Sequence, residues 1–117
     1  MAIDKVGVVG AGQMGGGIAQ VSAGAGLDVV VYDASAEQVE KCRATHQKLL
    51  ARAVEKGRME QGDADAALQR IRYASDIQEL ADRQIVIEAV VENEQVKKDI
   101  FAQLDSVCTD GCILATN

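Results

Sequence analysis

The sequence predicts an α/β domain built on a doubly wound parallel sheet, with strands in the order 3-2-1-4-5 and a helical hairpin projecting after strand 2. Short β-branched runs alternate with helix-compatible stretches along all 117 residues, the pattern of repeated strand–helix crossovers. The first run breaks into a glycine-rich turn, and the second ends on an acid. The fourth, Gln84 to Glu92, is almost continuously apolar, as a parallel strand covered on both faces should be.

The opening stretch, Val6-Gly7-Val8-Val9-Gly10-Ala11-Gly12-Gln13-Met14-Gly15, reads as strand, tight turn and helix start. The glycines of the turn serve different physical ends. Gly10 permits the reversal, Gly12 lets backbone amides approach a pyrophosphate, and Gly15 lets the helix lie close to the strand. A phosphate held there sits at a helix N-terminus, among amides without intrahelical partners and at the positive end of the dipole. Ala11, Gln13 and Met14 complete the candidate cofactor loop. The next strand, Leu27 to Asp33, places Asp33 at about the twenty-residue spacing of a ribose-binding carboxylate. Its charge repels a 2′-phosphate, and Ala34, Ser35 and Ala36 offer no cation to neutralise one. The predicted cofactor is therefore NAD rather than NADP.

Composition bounds the function. Residues 1–117 make one domain, large enough for a core but small for a dinucleotide-dependent enzyme with its own substrate domain. Apolar residues are 48% and charged residues 26%, and the net charge of −6 argues against nucleic acid or an anionic membrane as partner. No stretch is apolar enough to span a bilayer, and the first residues lack the pattern of a signal peptide, which predicts a cytoplasmic protein. Three cysteines, Cys42, Cys108 and Cys112, then read as reduced thiols. The only histidine lies far from the last two, so they are expected to be structural and no metal site is predicted.

Along the chain, Gln13 to Ala25 carries Met14, Ile18 and Val21 at helical spacing beside a small face of Gly15, Gly16, Ala19 and Ala23, with Gly24 and Gly26 as capping candidates. Ser35 and Gln38 form a capping pair for a long amphipathic helix. Its expected apolar stripe is Val39, Cys42, His46, Leu49, Leu50, Ala53 and Val54, and Gly57 ends it. His46 in that stripe is expected to be packed and hydrogen-bonded rather than catalytic. The helix is longer than a crossover needs, so its far end should present Arg52, Lys56 and Arg58 outward. Gly62-Asp63 then reads as a turn and cap before a helix from Ala64 to Arg70 and a strand Ile71 to Tyr73, after which Asp76 caps a helical turn through Ala81.

Glu88 interrupts the fourth strand. A buried acid is costly without partners, so Glu88 or Glu92 is expected to be functional or hydrogen-bonded. The next helix, Asn93 to Cys108, should bury Val96, Ile100, Phe101, Leu104, Val107 and Cys108. Lys97 and Lys98 stand in or near its first turn, where the dipole disfavours a cation. Lys97 makes sense there facing Glu92 or a ligand anion. A fifth strand, Cys112 to Asn117, follows, and ligands of such sheets bind at the carboxyl ends of strands.

These residues resemble a known family. The Val-Gly-Val-Val-Gly-Ala-Gly-Gln-Met-Gly opening, Val31-Tyr32-Asp33, the long helix ending near Lys56-Gly57, Ile87-Glu88-Ala89-Val90-Val91-Glu92-Asn93 and Ala115-Thr116-Asn117 are together similar to the N-terminal NAD-binding Rossmann domain of L-3-hydroxyacyl-CoA dehydrogenases, particularly the bacterial 3-hydroxybutyryl-CoA type. The Glu-Ala-Val-x-Glu block followed by Lys97 is the most specific part. The resemblance implies that Gly10 to Gly15 cradle the pyrophosphate, Asp33 holds the adenosine ribose, Glu92 and Lys97 flank the nicotinamide half, and Asn117 lies near the nicotinamide ribose. Lys56 matches a position that contacts the CoA phosphate, and its usually hydroxylated partner position corresponds to Leu49.

The reaction so implied, part of fatty acid metabolism, is reversible oxidation of a 3-hydroxyacyl-CoA to the 3-ketoacyl-CoA, with a His–Glu pair taking the hydroxyl proton while hydride passes to NAD. No catalytic residue is expected within this chain. In the family the His–Glu pair, and the helical domain that supplies the acyl site and the homodimer contact, lie beyond Asn117. The chain is accordingly expected to bind NAD without turnover. Two alternatives are another two-domain NAD(P)-dependent hydroxyacid dehydrogenase, disfavoured by the long second helix and the Glu-Ala-Val-Val-Glu block, and a non-catalytic NAD-binding or structural relative.

Overall fold

The computed structural model describes residues 3–90, 94–109 and 111–116. Within them, runs of valine and isoleucine make five strands, β1 (Lys5–Val9), β2 (Asp28–Tyr32), β3 (Ile71–Ala74), β4 (Ile85–Glu88) and β5 (Ile113–Thr116). They form one sheet in the order β3-β2-β1-β4-β5, all neighbours parallel. The order reverses at β1, which pairs with β2 from Lys5 opposite Asp28 to Val9 opposite Tyr32 and with β4 from Val6 opposite Ile85 to Val9 opposite Glu88. Both crossovers therefore leave a crevice at the carboxyl end of β1, where ligands of such sheets bind.

Alternation along each strand decides which helices cover it. Val6, Val8, Val29 and Val31 belong to one apolar layer with Ala19 and Ala23 of α1 (Gln13–Gly24) and Val39, Cys42 and Leu50 of α2 (Ala36–Glu55). Val9, Val30 and Val86 belong to the opposite layer with Leu80 and with Leu104 of α4 (Glu94–Val107). Each fully buried valine contributes about 1.5 kcal/mol or more. The buried face of α1 is Gly15, Gly16, Ala19 and Ala23, so the helix axis comes close to β1 at its N-terminal end.

The ends of α2 follow the sequence. Ser35 Oγ accepts from Gln38 N–H at 3.3 Å, and Gly57, at φ +72°, terminates it. Asp76 likewise caps a 3-10 turn, Ile77–Leu80, by accepting from Gln78 N–H. Four expectations are corrected. The third helix, α3 (Gln61–Gln69), starts earlier than Ala64, because Glu60 O accepts from both Asp63 N–H and Ala64 N–H and draws Gly62 and Asp63 into the first turn. β4 ends at Glu88 rather than Glu92, because Glu88 Oε2 captures Val90 N–H and takes that amide out of the ladder. Leu49, at 42% exposure, stands outside the stripe of α2, which buries Val39, Cys42, His46 and Leu50. Val96 is exposed too, since the apolar packing of α4 against the sheet begins at Ile100.

Among the described residues three polar side chains are buried, His46, Arg83 and, at the end of β4, Glu88. His46 Nε2–H donates to Gly16 O at 2.7 Å and Nδ1 shares a hydrogen bond with the Tyr73 hydroxyl at 2.6 Å, so one ring links α2 to α1 and β3. It is packed and hydrogen-bonded, as expected. Arg83, only 2% exposed, was not anticipated; it grips both oxygens of Asp82 at 3.0 Å and Asp28 Oδ1 at 2.8 Å at the end of the sheet remote from the crevice.

Candidate functional site

The turn after β1 is shaped by backbone collisions that only glycine avoids. Gly10 adopts φ +110° and donates its N–H to Tyr32 O at 2.8 Å. A Cβ at Gly15 would run into Gly10 O, so the first turn of α1 sits against the reversal itself. Gly12 differs. It occupies the N-cap of α1 without any side-chain cap, and a Cβ there would meet nothing within 4 Å. The turn thus presents an open face of backbone at the positive end of a helix that has no acid in its first turn, an arrangement suited to an anion.

Asp33 follows β2 and reaches back to this turn. Its Oδ2 accepts from Ala11 N–H at 3.0 Å and its Oδ1 from Ser35 N–H at 2.9 Å. A carboxylate has about four acceptor positions, and two are used here to fix its plane. The others can accept from further hydroxyl donors. Exposed Ala34, Ser35 and Ala36 supply no cation beside it.

The other wall is built from β4, β5 and α4. Glu88 is fully buried at the end of β4. Thr116 Oγ1–H donates to its Oε1 at 2.8 Å, Val90 N–H to its Oε2 at 2.6 Å, and Lys97 Nζ stands 3.6 Å from Oε1. Leaving such a group unpartnered costs several kcal/mol, and the three partners offset that cost. Lys97, 19% exposed, thus faces Glu88 across the start of α4. Two predicted residues, Glu92 and Asn117, lie outside the described residues.

Between α1 and α2 runs a cleft of about 500 Å³, lined among others by Gly12, Gln13, Gln20, Gln38, Thr45 and Leu49. It joins the glycine turn to the outer face of α2, and sequence reading missed it. Its signal was the four-residue spacing of Lys41, Thr45 and Leu49 on one helix face. Lys56 is exposed at the C-cap of α2, beyond the cleft lining.

All three cysteines are free thiols, and among the described residues no group of three or more metal-ligating side chains could hold an ion. Burial, with a smaller contribution from the Asp33 charge, pushes the Cys42 thiol from 9.0 up to about 11; burial and Cys112 do the same for Cys108. Both are therefore held protonated in the folded state. Their stabilisation is complete below pH 9 and is lost as pH rises through about 11. For Cys42 the loss is on the order of 2 kcal/mol. Denaturant unfolding at successive pH values should show falling stability across that window, and Cys42→Ala should flatten the fall.

A glycine turn opening the first crossover helix, a carboxylate at the next strand tip bonded to that turn, and a parallel sheet that reverses direction beside it define a dinucleotide-binding Rossmann domain. The profile of the family described as 3-hydroxyacyl-CoA dehydrogenase, NAD binding domain, matches residues 5–117, and the chain belongs to that family. Its cofactor is NAD. A 3-hydroxybutyryl-CoA dehydrogenase of Mycobacterium tuberculosis is 50% identical over 117 residues, covering 99% of this chain and 41% of the relative. The crystal structure of M. tuberculosis FadB2 superposes with a TM-score of 0.96 at 49% identity, covering 100% of this chain and 41% of that one. That of (S)-3-hydroxybutyryl-CoA dehydrogenase PaaH1 from Ralstonia eutropha gives 0.95 at 40% identity, over 99% and 41%. The chain spans about two fifths of the length of these relatives. Among the described residues no helix is long and apolar enough to cross a membrane.

Proposed function

We propose that residues 1–117 are the cofactor half of an NAD-dependent 3-hydroxybutyryl-CoA dehydrogenase that interconverts a 3-hydroxyacyl-CoA and its 3-ketoacyl-CoA. The observation that carries this reading is the 3.0 Å bond from Ala11 N–H to Asp33 Oδ2, which joins a phosphate-sized opening and a sugar-binding acid into one site. Bound NAD supplies the hydride acceptor. The turn of Gly10, Ala11, Gly12, Gln13, Met14 and Gly15 holds the pyrophosphate: Gly10 N–H and Ala11 N–H are engaged by Tyr32 O and Asp33 Oδ2 and fix its shape, the amides from Gly12 onward face the phosphates, and Asp33 orients the adenosine ribose. Lys97 with Glu92 flanks the nicotinamide half, and Asn117 bonds its ribose. These contacts bring the reacting carbon to a substrate held largely by a second, helical region beyond Asn117, where a His–Glu pair takes the hydroxyl proton.

Lys56 meets the CoA phosphate from the far end of α2, and the cleft past Thr45 and Leu49 lies between it and the glycine turn. At Leu49 the apolar side chain gives the phosphate no hydroxyl donor, so Lys56 acts there by charge alone. The whole enzyme pairs as a homodimer through its helical region and works in the cytoplasm. Calorimetry should find NADH bound by this chain, with no turnover of acetoacetyl-CoA by it alone. Joined to the helical region of a relative, it should reduce acetoacetyl-CoA with NADH. An inactive but correctly folded and NADH-loaded whole protein would overturn the enzymatic reading and leave a cofactor-binding one.

A further inference from the structure

Lys97 occupies the end of α4 where the helix dipole opposes a positive charge, so something specific must hold its ammonium there. Among the described residues, Glu88 is the acid that faces it. The carboxylate is fixed from both sides: Thr116 Oγ1–H, at the end of β5, fills one position on Oε1, and Val90 N–H, just past β4, fills one on Oε2. Neither donor is charged, and among the described residues the cation that faces the carboxylate is Lys97, whose Nζ stands 3.6 Å from Oε1. The pair also sits beside the turn, since Glu88 lies opposite Val9 in the sheet and the next residue, Ala89, donates its N–H to Val9 O at 2.8 Å.

We propose that Glu88 is a positioning residue of the cofactor site: clamped between β5 and the β4 end, its carboxylate sets the place of the Lys97 ammonium on the nicotinamide side of the crevice. The proposal rests on Lys97 flanking the nicotinamide half of the cofactor. It makes Thr116 part of the same device, because without that hydroxyl the carboxylate plane is free to turn away from Lys97. Glu88 itself touches no ligand, being fully buried.

The test compares NADH with ADP-ribose, which keeps the adenosine and pyrophosphate half and lacks the nicotinamide, for Glu88→Gln, Lys97→Met, the double variant and Thr116→Val. Glu88→Gln removes the charge with little change of shape and should weaken NADH about tenfold, the scale of one lost charge-assisted contact, while ADP-ribose stays within about twofold. Lys97→Met should do the same, and the double variant should be no worse than Lys97→Met alone. Thr116→Val should weaken NADH alone by a smaller factor, and it carries the test if Glu88→Gln does not fold. Equal losses for NADH and ADP-ribose would reduce Glu88 to a structural role, and penalties that add in the double variant would show that it does not act through Lys97. An unaltered NADH affinity in Lys97→Met would instead remove the Lys97 reading and the proposal with it.

Discussion

Gly12→Ala leaves the protein folded and removes NADH binding, whereas Gly15→Ala destabilises the fold itself. The two glycines are neighbours in one motif, yet their surroundings are opposite. A methyl group at Gly15 meets the carbonyl of Gly10 and comes within 3.3 Å of Val8 Cγ1, so backbone must move on one side and packed core on the other. Overpacking of that kind costs typically 1–3 kcal/mol, and the carbonyl it displaces belongs to a reversal already at φ +110°, so a loss of about 3 kcal/mol or more is expected. At Gly12 the same methyl meets no atom within 4 Å, and the backbone, at φ −76° and ψ −168°, accommodates alanine. Its stability cost is that of a weaker N-cap, about 1 kcal/mol or less. The methyl nonetheless occupies the space a pyrophosphate needs in order to touch the helix amides, and affinity should fall about a hundredfold or more. Denaturant titration and calorimetry on both variants separate the two effects. Wild-type affinity in Gly12→Ala would show that the phosphates rest elsewhere.

Features legible in the chain were those governed by local chemistry. Paired valines at Val8-Val9 and Val29 to Val31 announce strands covered on both faces, and Ser35 with Gln38 announces a helix start, because each signal is contained in a few consecutive residues. Asp33 was legible for a similar reason, since strand length and crossover length together fix its distance from Gly15. Features that depend on partners far along the chain were not. Arg83 looks like a surface arginine until Asp28, remote in sequence, is brought beside it. The early end of β4 depends on where the Glu88 side chain turns, and its companion Thr116 gives no sign of itself in sequence. Lys97 was recognisable as a cation in the wrong place for its helix, but the described acid that faces it is Glu88, whereas sequence reading turned to Glu92 or a ligand anion. The cleft between α1 and α2 belongs to the same class, since neither helix alone encodes the gap between them.

Asp33→Ala should weaken NADH about a hundredfold and abolish the preference for NADH over NADPH. The carboxylate has two roles, and alanine ends both. The ribose hydroxyls lose their charged acceptor, a loss of about 1.5–3 kcal/mol, and the buried Ala11 N–H loses its partner, which loosens the turn that holds the phosphates. Discrimination follows from Coulomb's law: two unit charges about 4 Å apart interact by about 4 kcal/mol at an effective dielectric of about 20. Solvent at this half-exposed position screens about half of that, leaving roughly thirtyfold against a 2′-phosphate. Asp33→Asn separates the two roles. Its single amide oxygen can keep either the Ala11 or the Ser35 bond but not both, so NADH should weaken less than in Asp33→Ala while NADPH gains, because the negative charge has gone. Combining Asp33→Ser with Ala34→Arg should carry the preference over to NADPH, since a guanidinium beside Ser35 supplies the bidentate phosphate contact that this segment lacks. Titrating each variant with both reduced cofactors tests the series. Unchanged NADPH affinity in Asp33→Asn would mean that selectivity comes from the shape of the crevice rather than from charge at the tip of β2.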